Sequence, residues 1–240
     1  MGGALASLLG SHPIAAGRSA ITLTASGNAQ IDTGSFKIGS SSGLFDGTGD
    51  YLTTGDLSTV LPNTSNFTLE FWVRFNVLPT SGNFRMIWGT SSPNQYWGLW
   101  NSSGTYRIAV AVTGSDGTFY RDWSNGGTPS TTTWYHYAMV KNGTSLDVYK
   151  DGTALTSPTS TGTMTANKGI AGSTSYIARW SNATSYQHNG WIDELRLSKT
   201  ARYTANFTAP TSAFTNDSNT VLLVHFEGAD GTTTFTDDNA

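Results

Sequence analysis

The sequence predicts an all-β domain, and three observations carry that expectation. The first is composition. Against 13 Asp stand only 3 Glu and 5 Lys, while Ser and Thr together number 65 of 240 residues. Residues that favour helix surfaces are scarce, and those that favour turns and strands abound. The second is alternation. Between Phe67 and Phe75 the residues Phe67, Leu69, Phe71, Val73 and Phe75 share one face, with Thr68, Glu70, Trp72 and Arg74 on the other. That is the pattern of a half-buried strand. The third is punctuation: short apolar runs recur between Ser, Asn and Gly clusters, as in a sandwich or barrel.

The remaining strands follow in order. Arg85–Gly89, Tyr96–Trp100 and Tyr106–Thr113 are separated by polar turns. Trp134–Lys141 then meets Ser145–Lys150 across Asn142, Gly143 and Thr144, a hairpin connection with Asn-Gly turn chemistry. Asp151-Gly152 turns the chain again. Tyr176–Arg179, Gly190–Leu197 and Thr220–Phe226 complete the set, and a short helical turn is expected near Thr200–Thr204. No Pro-rich or charged linker interrupts this series, so residues 19–240 read as a single domain.

Residues 1–18 read differently, as an extended apolar N-terminal arm with Leu5, Leu8, Leu9 and Ile14 as its anchoring side chains. No basic residue precedes Arg18, which argues against a secretory signal peptide. An arm of this kind docks either on its own domain or on a neighbouring subunit.

Charge and cysteine content narrow the function. The 13 Lys and Arg against 16 Asp and Glu give a net charge of −3, which argues against a general electrostatic hold on nucleic acid. No run of 18 apolar residues is present to span a membrane. Without cysteine there is no disulfide framework, thiolate metal site or cysteine nucleophile.

Several segments then occur in a telling order. Phe45-Asp46-Gly47 is followed by Gly49-Asp50-Tyr51-Leu52, by Phe67–Val73, by Trp134–Val140, by Tyr149–Gly152 and by Gly190–Leu197. This series resembles the laminin-G-like branch of the concanavalin A-like lectin/glucanase superfamily, over roughly residues 39–226. The resemblance implies a two-sheet antiparallel jelly-roll sandwich. The stretch Ala201–Pro210, leading into Val221–Phe226, resembles the tails of such domains in bacteriophage structural proteins. One departure stands out. In that subgroup the Leu-Leu-X-His-Phe strand opens the domain, whereas here it comes last, at 220–226. It must complete a sheet either of its own sandwich or of a neighbour's.

The resemblance raises the question of glycoside hydrolysis, which needs two suitably spaced carboxyl groups. The family's hydrolases carry a Glu-X-Asp-X-Glu strand, and nothing here matches it. Asp193 and Glu194 are adjacent, so a regular strand sends them to opposite faces. Glu70 and Glu227 stand alone, and the four histidines lack metal-ligand spacing. No catalytic residue is assigned. For binding, sugar sites combine aromatic faces with polar side chains. Tyr96, Trp97 and Trp100, then Tyr120 and Trp123, then Trp180 and Tyr186 form aromatic clusters beside polar loops, whereas Trp72 and Trp134 read as core-lining. Calcium is the other ligand the resemblance implies, and Asp46, Asp50 and Asp193 fall in its recurrent motifs.

The expectation is therefore a non-enzymatic virion structural protein, a capsid decoration, cement or head-fibre protein. It would be assembled in a host cytoplasm, oligomeric, and held to capsid or other virion proteins by its arm. The alternative is a glycan-binding adhesin module directed at a cell-surface glycan, and a glucanase-type hydrolase ranks last.

Overall fold

The computed structural model describes residues 19–91, 95–170, 174–181 and 186–239. The arm residues Leu5, Leu8, Leu9 and Ile14 lie outside that set. In chain order the first strands are β1 (Thr24–Ser26), β2 (Gln30–Asp32), β3 (Ser42–Asp46), β4 (Tyr51–Gly55), β5 (Phe67–Phe75), β6 (Phe84–Thr90), β7 (Tyr96–Ser102) and β8 (Thr105–Gly114). They are followed by β9 (Gly117–Trp123), β10 (Tyr135–Asn142), β11 (Ser145–Lys150), β12 (Thr153–Ala154), β13 (Thr159–Thr161), β14 (Ser175–Ile177), β15 (Asn189–Ser198) and β16 (Thr220–Val224).

These strands form two antiparallel sheets of eight. The front sheet runs β1-β4-β14-β6-β7-β8-β9-β13. The back sheet runs β12-β11-β10-β5-β15-β3-β2, with β16 also paired to β15. The alternation in β5 does what its sequence requires. Phe67, Leu69, Phe71, Val73 and Phe75 enter the core between the sheets, where Phe71 meets Trp97 edge-on at 4.8 Å. The hairpin between β10 and β11 closes with Asn142 opposite Ser145, and Gly143 takes the left-handed conformation at φ 59°.

The opposite face of the back sheet is covered by the chain after β15. Trp72 joins Ile38, Phe214 and Leu223 in a second apolar cluster, with Trp134 packed against it. Both tryptophans therefore lie outside the inter-sheet core, because Trp72 occupies the even positions of β5. The helical turn expected near Thr200–Thr204 does not form. Thr68 Oγ1 donates to the Thr200 carbonyl and accepts from the Arg202 amide, so the backbone groups a helix would use are bound to β5 instead.

The last strand returns to its own sandwich. One side of β15 pairs with β5 along its length, while the other side is shared by β3, opposite Asn189–Ile192, and β16, opposite Leu195–Ser198. The chain after β16 folds back onto β2: Ile31 N donates to the Thr232 carbonyl, and Gly231 N to the Ile31 carbonyl. Asp237 accepts from the Ile21 amide, tying the two ends of the described chain together.

At the handover between β3 and β16 the β15–β5 register shifts, and Glu194 sits at φ 51°. This bulge changes where the acidic pair points. Asp193 accepts from the Lys37 and Ile38 amides, and Glu194 from the Phe214 amide, so both carboxylates lie on the outer side of the back sheet. The opposite-face expectation for this pair is corrected accordingly.

Candidate functional site

Strand register arranges the outward side chains of the front sheet into rows. One row contains Gly89, Tyr96, Ala111 and Tyr120, opposite one another from β6 to β9. The next contains Met86, Gly98, Ala109 and Asp122, and a third contains Phe84, Trp100 and Arg107. The outer rows carry the aromatic rings, and the middle one has only Gly98 and Ala109 at its centre. The result is a depression of about 170 Å³ lined by Phe84, Tyr96, Trp100, Ala109, Tyr120 and Asp122 among others.

The rings form one connected cluster. Phe84 and Trp100 stack at 5.6 Å and 8°. Tyr96 and Tyr120 lean together across Ala111, with centroids 6.5 Å apart. Phe84 also touches Tyr96 at 6.0 Å and Tyr186 at 5.4 Å. Trp180 stacks on Tyr186 at 6.1 Å and meets Tyr96 at 5.7 Å. Gly89 makes room for that last contact: a Cβ there would lie 2.6 Å from the Trp180 Cα and 2.8 Å from the Arg179 carbonyl oxygen.

The polar groups sit at the β9 side. Arg107 and Asp122 form an ion pair at 2.5 Å, with the guanidinium 6.0 Å above the Trp100 ring. Burial, together with the nearby Tyr120 and Asp122, pushes the Tyr96 phenol up to about 12, so it keeps its proton at neutral pH. Tyr120 is 37% exposed and Tyr96, Trp100, Trp180 and Tyr186 are half-buried. Such a surface offers apolar ring faces beside a carboxylate acceptor and phenolic donors, the combination that recognises sugar rings and their hydroxyls.

Five of the seven aromatic candidates, Tyr96, Trp100, Tyr120, Trp180 and Tyr186, are thus brought together. Trp97 and Trp123 are not. Each occupies a strand position of the opposite parity to its outward neighbours and points into the core, 0% and 1% exposed. Their assignment to a sugar site is corrected. Phe84, Arg107 and Asp122 were not singled out from the sequence. Asp122 belongs to β9, which carries no alternating apolar pattern on its outward side, and the contribution of Phe84 comes from pairing with Trp100 across the sheet.

Of the three acidic candidates for calcium, Asp46 and Asp50 come together and Asp193 stands apart. Asp46 lies opposite Asn189, and Asp193 stands four residues further along β15, about 13 Å away at strand spacing. Asp50 uses its oxygens on the Asn28 and Asp46 amides, and Asp46 accepts from the Thr48 amide. Among the described residues no group of three or more His, Asp or Glu side chains is placed to hold a metal ion. Glu70 is likewise not isolated. It is fully buried beneath the chain after β15, with Arg196, Tyr203 and His136 around it.

The sequence family described as the concanavalin A-like lectin/glucanases superfamily, of laminin-G type, matches residues 46–206. No curated protein sequence matches the chain significantly. Among solved structures, domain 4 of an extracellular arabinanase from Geobacillus stearothermophilus, solved with arabinotriose, aligns with a TM-score of 0.51 and 18% identity, over 75% of this chain and 82% of that one. The enzymatically active domain of tailspike protein 2 from bacteriophage CBA120 aligns at 0.53 and 12%, over 78% of this chain and 30% of that one. The binding domain of botulinum neurotoxin serotype D aligns at 0.54 and 15%, over 75% and 43%. The chain therefore spans less than half of the tailspike and toxin chains. At these identities the likeness establishes a shared fold.

Proposed function

The chain belongs to the concanavalin A-like lectin/glucanase superfamily, and on that premise we propose that it is a non-enzymatic carbohydrate-binding module that works through the outer face of the front sheet. The observation that carries this reading is the convergence of Phe84, Tyr96, Trp100, Tyr120, Trp180 and Tyr186 on one solvent-facing surface. Large exposed apolar patches on a folded domain mark interaction sites, and this one has polar groups at its margin rather than around a catalytic centre. Among the described residues Asp122 is the one carboxylate lining the depression, whereas glycoside hydrolysis needs two. The arabinanase domain solved with arabinotriose supports a sugar as the ligand of this fold, by likeness of architecture. The test is a glycan array with the wild-type domain. Silence across neutral and acidic glycans, from a protein that melts cooperatively, would remove the reading.

A second reading concerns where the module works. The tail-like segment Ala201–Pro210 and the shared fold of a phage tailspike support a place on a virus particle, as a decoration or fibre protein displaying the aromatic face outward. The apolar stretch 1–18 would then anchor it to capsid or other virion proteins, and self-association would build the displayed unit. The check is the copy number of the chain in purified particles. Deletion of 1–18 should release it from them while leaving the sandwich folded, and attachment that survives the deletion would refute the anchor.

A further inference from the structure

We infer that the depression is a dead-end trough for the terminal ring of a neutral glycan chain, not a groove for its interior. The inference rests on the carbohydrate-binding reading above and specifies its ligand. Tyr96 and Trp100 are four residues apart on β7 with Gly98 between them, so their Cα atoms are about 13 Å apart. The depression of about 170 Å³ lies between them. Its floor is Ala109, whose methyl leaves it open, while the Met86 thioether covers the neighbouring Gly98. At the β6 end the walls meet, because Phe84 lies 6.0 Å from Tyr96 and 5.4 Å from Tyr186. At the β9 end the trough opens beside Asp122, whose side chain remains 19% exposed.

A through-channel would pass an internal sugar with neighbours on both sides. A trough closed at one end accepts a ring with a single linkage, directed out past Asp122. There the carboxylate accepts from ring hydroxyls, and its ion pair with Arg107 at 2.5 Å leaves no unpaired cation at the mouth to hold a sugar acid. The recognised class is thus the uncharged chain end.

The experiment measures competition by dextran, laminarin and arabinan, each intact and after partial acid hydrolysis, at equal sugar mass. Hydrolysis multiplies ends without adding sugar. For any polymer the wild type binds, the hydrolysed form should compete at a tenfold or more lower mass. Ala109→Leu fills the floor and should weaken binding at least tenfold at an unchanged melting temperature. Asp122→Asn, of equal size, should do the same. Equal competition by intact and hydrolysed polymer overturns the inference alone, as does wild-type affinity in a folded Ala109→Leu protein, or a preference for alginate over the neutral probes. Binding to none of the probes overturns this inference, and a silent glycan array beside it removes the carbohydrate reading as well.

Discussion

Arg196 reaches one oxygen of Glu70 twice: its Nε at 2.9 Å and its Nη2 at 2.7 Å both donate to Oε1. The other oxygen, Oε2, accepts from the Tyr203 hydroxyl at 2.8 Å and faces His136 Nε2 at 3.5 Å. Burial by itself would raise the Glu70 carboxyl, yet the His136 contact and the charge of Arg196 bring it below the usual range. The pair fastens the chain after β15 to the back sheet, since Arg196 also donates to the Thr215 carbonyl. Glu70→Ala should cost about 3–5 kcal/mol, because it leaves a buried guanidinium without its counter-charge. Chemical denaturation measures this. Combining it with Arg196→Met should cost less than the sum of the two single changes, and additivity would mean the residues act independently.

The fold's dependence on its C-terminus gives a second prediction. Val221, Leu222, Leu223, Val224 and Phe226 are all 2% exposed or less. At about 1.5–3 kcal/mol for each buried side chain, their loss is comparable with the whole stability of a domain, about 5–15 kcal/mol. Truncation after Asn219 should therefore abolish the cooperative melting transition. Phe226→Ala is the milder version: the ring covers Gly43, where a Cβ would lie 2.5 Å from Phe226 Cδ1, and packs edge-on to Phe235. Its removal should cost about 3–5 kcal/mol. A truncated chain that melts like the full one would show that β16 is not part of the fold.

These two cases show where sequence reading succeeds and stops. The alternation of β5 and the Asn-Gly hairpin were legible because each is fixed by neighbours within a few residues. The strand β16 was legible as a strand, but its place beside β15 depends on pairing across the chain. Parity within a strand separates Trp100 from Trp97, yet which parity faces solvent is decided by the sheet packed behind it. The bulge at Glu194 had no local signal either. It is a non-glycine residue at φ 51°, held there by bonds from Phe214 and His225.

Asp193 predicts a pH dependence. Burial pushes its carboxyl up to about 7, against the opposing amides of Ile38 and Lys37 and helped by the charges of Glu194 and Glu227. The folded state thus holds a proton that the unfolded chain releases near 3.8, so this stabilising contribution is present at low pH and declines as pH rises from about 4 to about 7. His225, raised chiefly by its hydrogen bond to Glu194, acts in the same direction: its contribution is complete below 6.5 and is lost as pH rises through its folded value. Asp193→Asn keeps an acceptor for both amides and removes the first contribution only. The wild-type melting temperature should fall more steeply than the variant's between pH 4 and 7. Parallel curves would contradict the assignment.

The site itself is tested by two tryptophans three residues apart. Trp100 faces the trough and stacks on Phe84, whereas Trp97 is fully buried between Phe71 and Tyr137. Trp100→Ala should leave the melting temperature within a few degrees, because it removes a ring that is already partly in water. It should weaken glycan binding by about 10- to 100-fold, the effect of deleting an aromatic anchor worth about 1.4–2.7 kcal/mol. Trp97→Ala should do the reverse, costing about 3–5 kcal/mol of stability through the cavity it leaves, while molecules that remain folded bind nearly as before. The contrast matters because either variant alone is ambiguous: lost binding can follow from lost structure. If Trp97→Ala abolishes binding in a folded protein and Trp100→Ala does not, the ligand lies elsewhere than on the front sheet.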